Sequence, residues 1–283
     1  MESTPTVSIV TPSYNQGDFL EKTLLSVLSQ DYPKVEYIVV DGGSCDNSVD
    51  IIRKYAPRLS HCVIESDNGQ ADAINKGLRV AKGEILTWLN SDDLLLPGAV
   101  SKVVGTFRQC PEAGFVYGDC QVIDQNGKLI FTRRVTEYDW GVLLYGRSLI
   151  SQPASFFRRS VIDQVGLLDE RFGFCMDLEF WVRAAHKGIK FHMLPVPLAC
   201  FRVQPSAKTA RLRAKMFSEH HQILRRYSSF PWGALGPLAP YVQEGTNGLH
   251  HLRGVMQRIR QRKDFSVFQA RRARRVVSAK SNK

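Results

Sequence analysis

The sequence predicts an α/β protein built around a mostly parallel central sheet, and three observations lead to this fold class. Four apolar runs in about the first 100 residues alternate with patterns of helical period. Three of these runs end in polar, turn-forming residues, as strands do at the ligand-binding edge of an open parallel sheet. The length of 283 residues is enough for one large α/β domain with an appendage. We therefore expect right-handed crossovers, flanking helices and a nucleotide-binding architecture, followed by a basic C-terminal helical extension.

The first half of the chain supplies the strand-to-helix units in order. Leucine and valine recur at helical spacing after the first strand, and Asp46 and Asn47 are suited to begin the second helix. The predicted strands are 7–10, 35–40, 61–65 and 85–89, and the predicted helices are 19–29, 48–55 and 70–80, with a fourth entered at Pro97.

Beyond Gly105 the pattern changes to shorter and less regular elements. Residues 229–250 are rich in Pro and Gly, which predicts a linker or an irregular packing segment. We therefore divide the chain into a main domain at 1–228, this segment at 229–250 and a tail at 251–283. The strands expected in the second half are 115–117, 121–123, 129–132, 155–157 and 196–203, and the helices are 139–144, 160–165, 176–186 and 207–227.

The composition is that of an ordinary soluble protein, with 43% hydrophobic and 23% charged residues. The six cysteines are scattered without metal-ligand spacing, which indicates reduced thiols in a cytosolic protein and argues against structural zinc. The amino terminus is short and polar and leads directly into a strand, so we expect no secretory signal. No stretch approaches about 18 uninterrupted apolar residues, so we expect no membrane-spanning helix and a cytoplasmic location.

The net charge of +11 is concentrated in the C-terminal tail. Residues 251–283 contain eleven Lys and Arg against Asp264 alone, which leaves only +1 for the rest of the chain. Apolar residues from Leu252 to Ile259 recur at helical spacing among arginines, which fits an amphipathic helix peripheral to the inner face of a membrane. A solvated or unstructured tail explains the composition equally well. Nucleic-acid binding is the weakest interpretation, because the rest of the chain carries no recognition motif.

Polar residues at three strand ends predict a ligand site. Asp92 and Asp93 directly follow a buried strand, and in a parallel sheet they share an edge with Tyr14 and with Asp41-Gly42-Gly43. Asp41 can accept a hydrogen bond from a base, Tyr14 can stack on a flat ring, and glycine lets backbone approach a ligand. Each residue also has a simpler explanation on its own. Asp41 can cap a turn, Tyr14 can be a packing residue, and the glycines can serve the backbone geometry. Their coincidence at one edge favours the ligand site.

Six short motifs occur in a fixed order along the chain. They are Val10-Thr11-Pro12-Ser13-Tyr14-Asn15, Val40-Asp41-Gly42-Gly43-Ser44, Asp67-Asn68-Gly69-Gln70-Ala71-Asp72-Ala73-Ile74-Asn75-Lys76-Gly77, Leu89-Asn90-Ser91-Asp92-Asp93, Gly166-Leu167-Leu168-Asp169-Glu170-Arg171-Phe172 and Met176-Asp177-Leu178-Glu179-Phe180-Trp181-Val182-Arg183. Each is weak alone, but the ordered set, which covers about residues 7–210, is specific. On these motifs the sequence resembles the glycosyltransferases of the family 2 type, which have the GT-A fold.

The resemblance implies a nucleotide-sugar donor, for which a UDP-sugar is our first choice, and a divalent ion. It makes Asp93 the metal-binding acid of a DxD-type motif and Asp92 its neighbour on the ribose or metal side. Mg²⁺ or Mn²⁺ suits such a site, because Mg²⁺ is commonly held by one or two carboxylates together with substrate phosphates. The ion would neutralise charge on the diphosphate leaving group. The residues expected to bind the donor are Thr11, Pro12, Tyr14, Asp41, Asn75, Lys76 and Asp92.

Asp177 matches the acid that these enzymes use as catalytic base. Inverting displacement needs a base opposite the departing diphosphate, to take the proton of the acceptor hydroxyl. The alternative is an acid placed at a helix N-terminus, where the helix dipole favours it.

Two departures from the family pattern concern the donor site. Many relatives have Arg where this chain has Ile74, so that a phosphate or base contact is either missing or supplied by Lys76. Many have His where this chain has Gln204, and an amide is a poorer metal ligand. On the acceptor or diphosphate side the resemblance points to Gln152, Arg202 and Gln204.

These inferences predict a metal-dependent inverting glycosyltransferase of cell-surface polysaccharide synthesis. We expect a hexosyl- or N-acetylhexosaminyltransferase whose acceptor is a glycan or a lipid-linked molecule. The alternative is a catalytically impaired nucleotide-sugar-binding module of the same fold, which the residues Ile74 and Gln204 suggest.

Overall fold

The protein is built around a nine-stranded sheet. The computed structural model describes residues 4–145, 150–204 and 213–228. The strands are β1 Val7–Ser13, β2 Val35–Asp41, β3 His61–Ile64, β4 Ile85–Trp88, β5 Leu94–Leu95, β6 Ala113–Ile123, β7 Leu129–Arg133, β8 Ser155–Arg158 and β9 Lys190–Arg202. The helices are α1 Gly17–Leu28, α2 Ser48–Tyr55, α3 Gln70–Val80, α4 Ala99–Gln109, α5 Trp140–Tyr145, α6 Arg159–Val165, α7 Met176–His186 and α8 Arg213–Tyr227. Short 3-10 turns occupy Ala56–Arg58 and Gln152–Ala154.

The sheet is parallel in its first half and mixed in its second. Its order is β3-β2-β1-β4-β8-β6-β9-β5, with β7 paired to β6. The pairs β3–β2, β2–β1 and β1–β4 are all parallel, as the four strand-to-helix units predict. Beyond β4, however, β8 is antiparallel to both its neighbours, and β5 and β7 are also antiparallel to their partners. The prediction of a mostly parallel sheet therefore describes the amino-terminal half.

One difference from the predicted elements is β6, where one strand replaces two. The sequence predicts two strands here, 115–117 and 121–123, with residues 118–120 between them. Gly118 instead allows β9 to come close, because a Cβ at this position would lie 2.6 Å from a Leu198 side-chain carbon. The strand therefore runs through the glycine and pairs in parallel with β9.

Two hydrophobic cores lie on opposite faces of the sheet. Alternation along β1 assigns Val10 to one core and Val7 and Ile9 to the other, as expected for a strand that is buried on both faces. Helices α3 and α7 contribute to the first core, and α1 and α4 to the second. This three-layer arrangement leaves the carboxyl ends of the parallel strands open.

The linker predicted at 229–250 and the basic tail predicted at 251–283 lie outside the described residues. All six cysteines lie within the described residues and are free thiols. Cys45 and Cys62 are exposed. In the described ranges, every helix is either too short or too polar to cross a lipid bilayer.

Candidate functional site

The carboxyl ends of β1, β2 and β4 open into one large cavity. Its volume is about 1120 Å³, which exceeds the usual range of about 300–1,000 Å³ for a small-molecule pocket. One side is formed by these strand ends and by the loop after β3. The other side is formed by the chain around residues 150–153, the start of α7, and α8. The cavity therefore lies where the strand-end pattern predicts a ligand site.

Tyr14, Pro12 and a glycine pair line the side of the cavity next to β1 and β2. The side chain of Tyr14 is 59% exposed, so its ring is accessible for stacking. Gly43 has a left-handed φ of +82°, and a Cβ on Gly42 would lie 2.3 Å from Asp67 Oδ2. Glycine at both positions therefore lets this loop lie close to the loop after β3.

Asp41 and Thr11 are buried beneath this wall and are not exposed on it. The carboxylate of Asp41 accepts hydrogen bonds from the backbone N–H groups of Gly43 at 3.1 Å and Ser44 at 2.8 Å, and from Ser44 Oγ at 2.7 Å. Thr11 Oγ1 is paired with the hydroxyl of Tyr37 at 3.0 Å. Both side chains therefore shape the loop and the strand, and a donor contact by either stays a prediction.

Asn75 and Lys76, on α3, brace the loops beside the cavity. Asn75 Nδ2 donates to the backbone carbonyl of Leu168 at 2.9 Å, and its Oδ1 accepts from the N–H of the same residue at 3.0 Å. Lys76 Nζ donates to the carbonyl of Ser66 at 3.0 Å and forms an ion pair with Glu65 at 2.9 Å. Neither side chain lines the cavity. Their predicted donor contacts remain untested, and the visible role of each is to hold a loop.

The structure separates the two adjacent carboxylates. Asp92 lines the cavity, and its Oδ2 accepts a 2.7 Å hydrogen bond from Gln204 Nε2. Asp93 is only 1% exposed, and its oxygens accept hydrogen bonds from the backbone N–H of Arg202 at 3.0 Å and from Asn90 Nδ2 at 3.2 Å. Asp93 therefore fastens the turn to β9, whereas a ligand in the cavity can reach Asp92. The assignment of the metal to Asp93 stays a prediction.

Burial raises the pKa of both carboxyl groups. For Asp92 the main cause is loss of contact with water, and for Asp93 the negative charge of Asp92 adds to it. Two adjacent acids withdrawn from water form a site that a cation stabilises. In the part of the chain that the structure describes, no group of three or more His, Cys, Asp or Glu side chains can hold an ion. The donor set fits Mg²⁺ or Mn²⁺ when a diphosphate supplies further oxygens.

Arg202 and Gln204, at the end of β9, hold the turn after β4. Arg202 Nε donates to the backbone carbonyl of Asp92 at 2.9 Å. Its Nη1 donates to the carbonyls of Asp124 and Gln125, each at 3.1 Å. Both Arg202 and Gln204 also line the cavity, so a diphosphate or acceptor contact by either remains a prediction.

A chain of amide side chains crosses the floor of the cavity. Gln70 Nε2 donates to Asn90 Oδ1 at 2.8 Å, and Asn90 Nδ2 donates to Gln152 Oε1 at 3.2 Å. Gln152 Nε2 in turn donates to the backbone carbonyl of Trp88 at 2.7 Å. Gln152, predicted as an acceptor contact, thus lines the cavity while fixing the end of β4.

Asp177 lies at the start of α7 on the cavity wall. Its Oδ1 accepts a 2.8 Å hydrogen bond from the backbone N–H of Leu178. Burial nevertheless raises the pKa of Asp177 to about 6, with a smaller contribution from the charge of Glu219. A carboxylate that is ionised at neutral pH but still basic is suited to accept a proton.

The loop before Asp177 is held by Glu219, a residue that the sequence analysis did not single out. Glu219 is 3% exposed, and its carboxylate accepts hydrogen bonds from the backbone N–H groups of Gly173 at 3.0 Å, Phe174 at 2.7 Å and Cys175 at 2.9 Å. An acid in an otherwise basic and apolar helix is the only signal of this role in the sequence. No spacing rule connects it with a loop 44 residues earlier.

Five buried polar atoms lack a hydrogen-bond partner in the described ranges, and all five belong to residues that line the cavity. Native structures leave few such atoms, so their concentration at one cavity indicates a polar ligand. They are Ser13 Oγ, Trp88 Nε1, Ser151 Oγ, Trp181 Nε1 and Arg202 Nη2.

Sequence comparison places this chain in a known family. The family described as Glycosyl transferase family 2 matches residues 8–166. A glycosyltransferase of Mycobacterium tuberculosis (strain CDC 1551 / Oshkosh), called uncharacterized, is 34% identical over 187 residues, which are 65% of this chain and 71% of that protein. The chain belongs to glycosyltransferase family 2. A PGL/p-HBAD biosynthesis glycosyltransferase of Mycobacterium bovis (strain BCG / Pasteur 1173P2) is another relative, 30% identical over 63% of this chain and 69% of that protein.

Solved structures confirm that this family 2 chain has the predicted GT-A fold. The mannosyltransferase PcManGT from Pyrobaculum calidifontis, in complex with GDP-Man and Mn²⁺, matches with a TM-score of 0.64 and 22% identity over 90% of this chain and 74% of that chain. Residues 1–349 of S. aureus TarS, in complex with UDP-GlcNAc, match with a TM-score of 0.59 and 17% identity over 78% of this chain and 71% of that chain.

Proposed function

We propose that the protein is a metal-dependent inverting glycosyltransferase that moves a hexosyl or N-acetylhexosaminyl group from a nucleotide sugar, with a UDP-sugar as first choice. The acceptor is a glycan or a lipid-linked molecule of cell-surface polysaccharide synthesis, used on the cytoplasmic side. One observation carries the proposal: Asp92 and Asp177, from distant parts of the chain, line the same cavity as the exposed ring of Tyr14.

Asp92 is the residue that we assign to the ion, in place of Asp93. Its carboxylate reaches the cavity, whereas both oxygens of Asp93 are engaged by β9 and by Asn90. A divalent ion bound there supplies charge neutralisation for the diphosphate leaving group. Asp93 then positions Asp92, and Arg202, with one guanidinium nitrogen unpartnered in the described chain, is suited to the diphosphate.

Asp177 is assigned the role of the base that removes the proton of the acceptor hydroxyl. The acceptor oxygen forms a bond to the anomeric carbon, and the bond between that carbon and the diphosphate oxygen breaks with its electron pair leaving on the diphosphate. Asp177 takes the hydroxyl proton as the oxygen attacks. Support for this role comes from its place on the cavity wall and from its raised pKa.

The first test compares the full-length wild type with Asp92→Asn and Asp177→Asn in a screen of nucleotide sugars with Mn²⁺ or Mg²⁺. We expect each substitution to lower kcat by at least about a hundredfold, as loss of general-base catalysis does. Asp163→Asn, an exposed acid on α6, is the matched control and should retain activity. Unchanged turnover in both site variants would contradict the assignments.

A nucleotide-sugar-binding module without turnover is the second candidate, favoured by the amide of Gln204 beside Asp92 where many relatives have His. The same screen decides between the two. Binding of UDP to the wild type, without transfer or hydrolysis of any donor, would support the binding module.

A further inference from the structure

The cavity changes character beyond Asp177. On the donor side it is lined by turns and polar side chains, such as Tyr14, Asp67 and Gln70. On the far side, hydrocarbon and aromatic side chains predominate. We call this second surface the apolar wall, and it consists of Leu143, Ile150, Phe174, Met176, Met216 and Phe217.

The apolar wall is built from four parts of the described chain. Leu143, Ile150 and Met176 belong to a single buried core, and Phe174 and Met216 pack against it. Helix α8 joins the loop before α7 through Glu219, and it joins α5 through a 3.0 Å contact between a ring nitrogen of His220 and the backbone carbonyl of Leu144. The wall is therefore fixed by packing on both sides.

The chemistry of the wall selects against an acceptor that is polar on all sides. A free sugar exposes hydroxyls around its whole ring, and each one that loses water on binding needs a new partner. Among the described residues on this side, the polar groups without a partner are Ser151 Oγ and Trp181 Nε1. Trp181 lies one helical turn beyond Asp177 on the same face of α7. These groups can orient one reacting hydroxyl, while the wall is suited to hydrocarbon.

We propose that the acceptor carries, beside its reactive hydroxyl, an apolar group, an alkyl chain or an aromatic ring, that binds against the apolar wall. This inference rests on the proposed function, because it assigns the acceptor half of the same cavity. The acceptor oxygen joins the anomeric carbon, the bond from that carbon to the diphosphate breaks, and Asp177 receives the proton. The apolar group takes no part in the bonds and serves only to bind the acceptor.

Calorimetric titration of the full chain, preloaded with UDP and Mn²⁺, tests the inference with methyl, hexyl, octyl and phenyl β-D-glucosides below their micelle concentrations. Each fully buried methylene strengthens binding by about fourfold. We therefore expect hexyl glucoside to bind at least about tenfold more tightly than methyl glucoside, with a negative heat-capacity change that marks apolar burial. Equal binding of all four glucosides would overturn the inference, and tighter binding of phenyl than of hexyl glucoside would identify an aromatic group.

The variant Phe217→Asn and a matched control test whether the preference for longer alkyl chains arises at the apolar wall. The side chain of Phe217 is 45% exposed on α8, and that of Phe131 is 50% exposed on the edge strand β7, away from the cavity lining. Phe217→Asn should reduce the preference for hexyl over methyl glucoside at least about threefold, with Met216→Gln as a second variant, whereas Phe131→Asn should leave it unchanged. A preference that survives both wall substitutions would overturn the inference.

Binding of UDP alone separates this inference from the proposed function. If UDP and Mn²⁺ bind but the glucosides show no dependence on chain length, the acceptor inference fails and the proposed function stands. If neither UDP nor GDP binds while the chain-length dependence holds in the unloaded protein, the proposed function fails and the apolar site remains.

Discussion

Asp177 connects activity with stability at the scale of a single residue. Burial raises its pKa from 3.8 to about 6, so the folded protein holds the proton more tightly than the unfolded chain. The stability that comes from this proton is complete below the unfolded pKa and is lost as the pH rises towards the folded pKa. At neutral pH the protein therefore carries an ionised, partly desolvated carboxylate that destabilises it.

Replacing Asp177 by Asn should stabilise the protein while it lowers the rate of transfer. We expect the free energy of unfolding in urea to rise by about 2 kcal/mol at pH 8. This is less than the pKa shift would give at about 1.4 kcal/mol per unit, because water in the cavity screens the charge of Asp177. The gain should disappear near pH 4, and kcat/KM of the wild type should fall about tenfold per pH unit below pH 6. Asp163→Asn is the control, and equal stabilities at pH 8 would contradict the prediction.

The acidic pair after β4 shows how far the sequence could assign single residues. The apolar run before Asp92 and Asp93 predicts that acids stand at a strand end. It does not predict which of them faces the cavity, because that depends on the hydrogen bond from the backbone of Arg202, which is 109 residues away. Asp41 is a different case, because its partners in the Gly43-Ser44 turn are local and withdraw it from the surface.

At the scale of elements, α8 positions the start of α7, where the proposed base Asp177 lies. Glu219 binds three successive backbone N–H groups of the loop that precedes Asp177, and its charge also raises the pKa of Asp177. An uncompensated loss of these bonds would leave the loop free to shift. Since misplacement by about 1 Å can cost about a hundredfold in rate, the loop geometry matters to catalysis.

Glu219→Ala should therefore lower kcat by about 10–100-fold with little change in the KM of the donor. Glu219→Gln keeps the shape and removes the charge, so it should restore part of kcat and move the acid limb of the pH profile to lower pH. Gln222→Ala, an exposed position on the same helix, serves as control. A role confined to folding would lower stability in all conditions without shifting the pH profile, and that result would exclude positioning of Asp177.

Elements of the first half could be predicted because their signals are local. Each βαβ unit can be predicted from the period of its hydrophobic residues and from its turn residues, all within about 30 residues of sequence. The second half depends on pairings between distant segments, such as β6 with β9 and β4 with β8, which no local period encodes. Gly118 shows the consequence, since it lies between the two strands predicted there and is needed for the approach of β9.

On the scale of the whole molecule, the donor and the ion should bind as a unit. Asp92 lines the cavity, but the described residues contain no cluster of three acidic, His or Cys side chains that could hold an ion. An ion bound at Asp92 therefore depends on the oxygens of a diphosphate. Each ligand should therefore strengthen the binding of the other by the same factor, as linkage requires.

Thermal unfolding measures this linkage without turnover. At about 100 times its dissociation constant a ligand stabilises the folded state by about 2.7 kcal/mol, which corresponds to a rise in Tm of about 5–10 °C for a domain of this size. UDP and Mn²⁺ together should produce such a rise, and either alone should produce much less. Asp92→Asn should reduce the joint effect to the sum of the separate effects, whereas Asp163→Asn should leave it intact. Additive shifts in the wild type would show that Asp92 and the diphosphate do not share an ion.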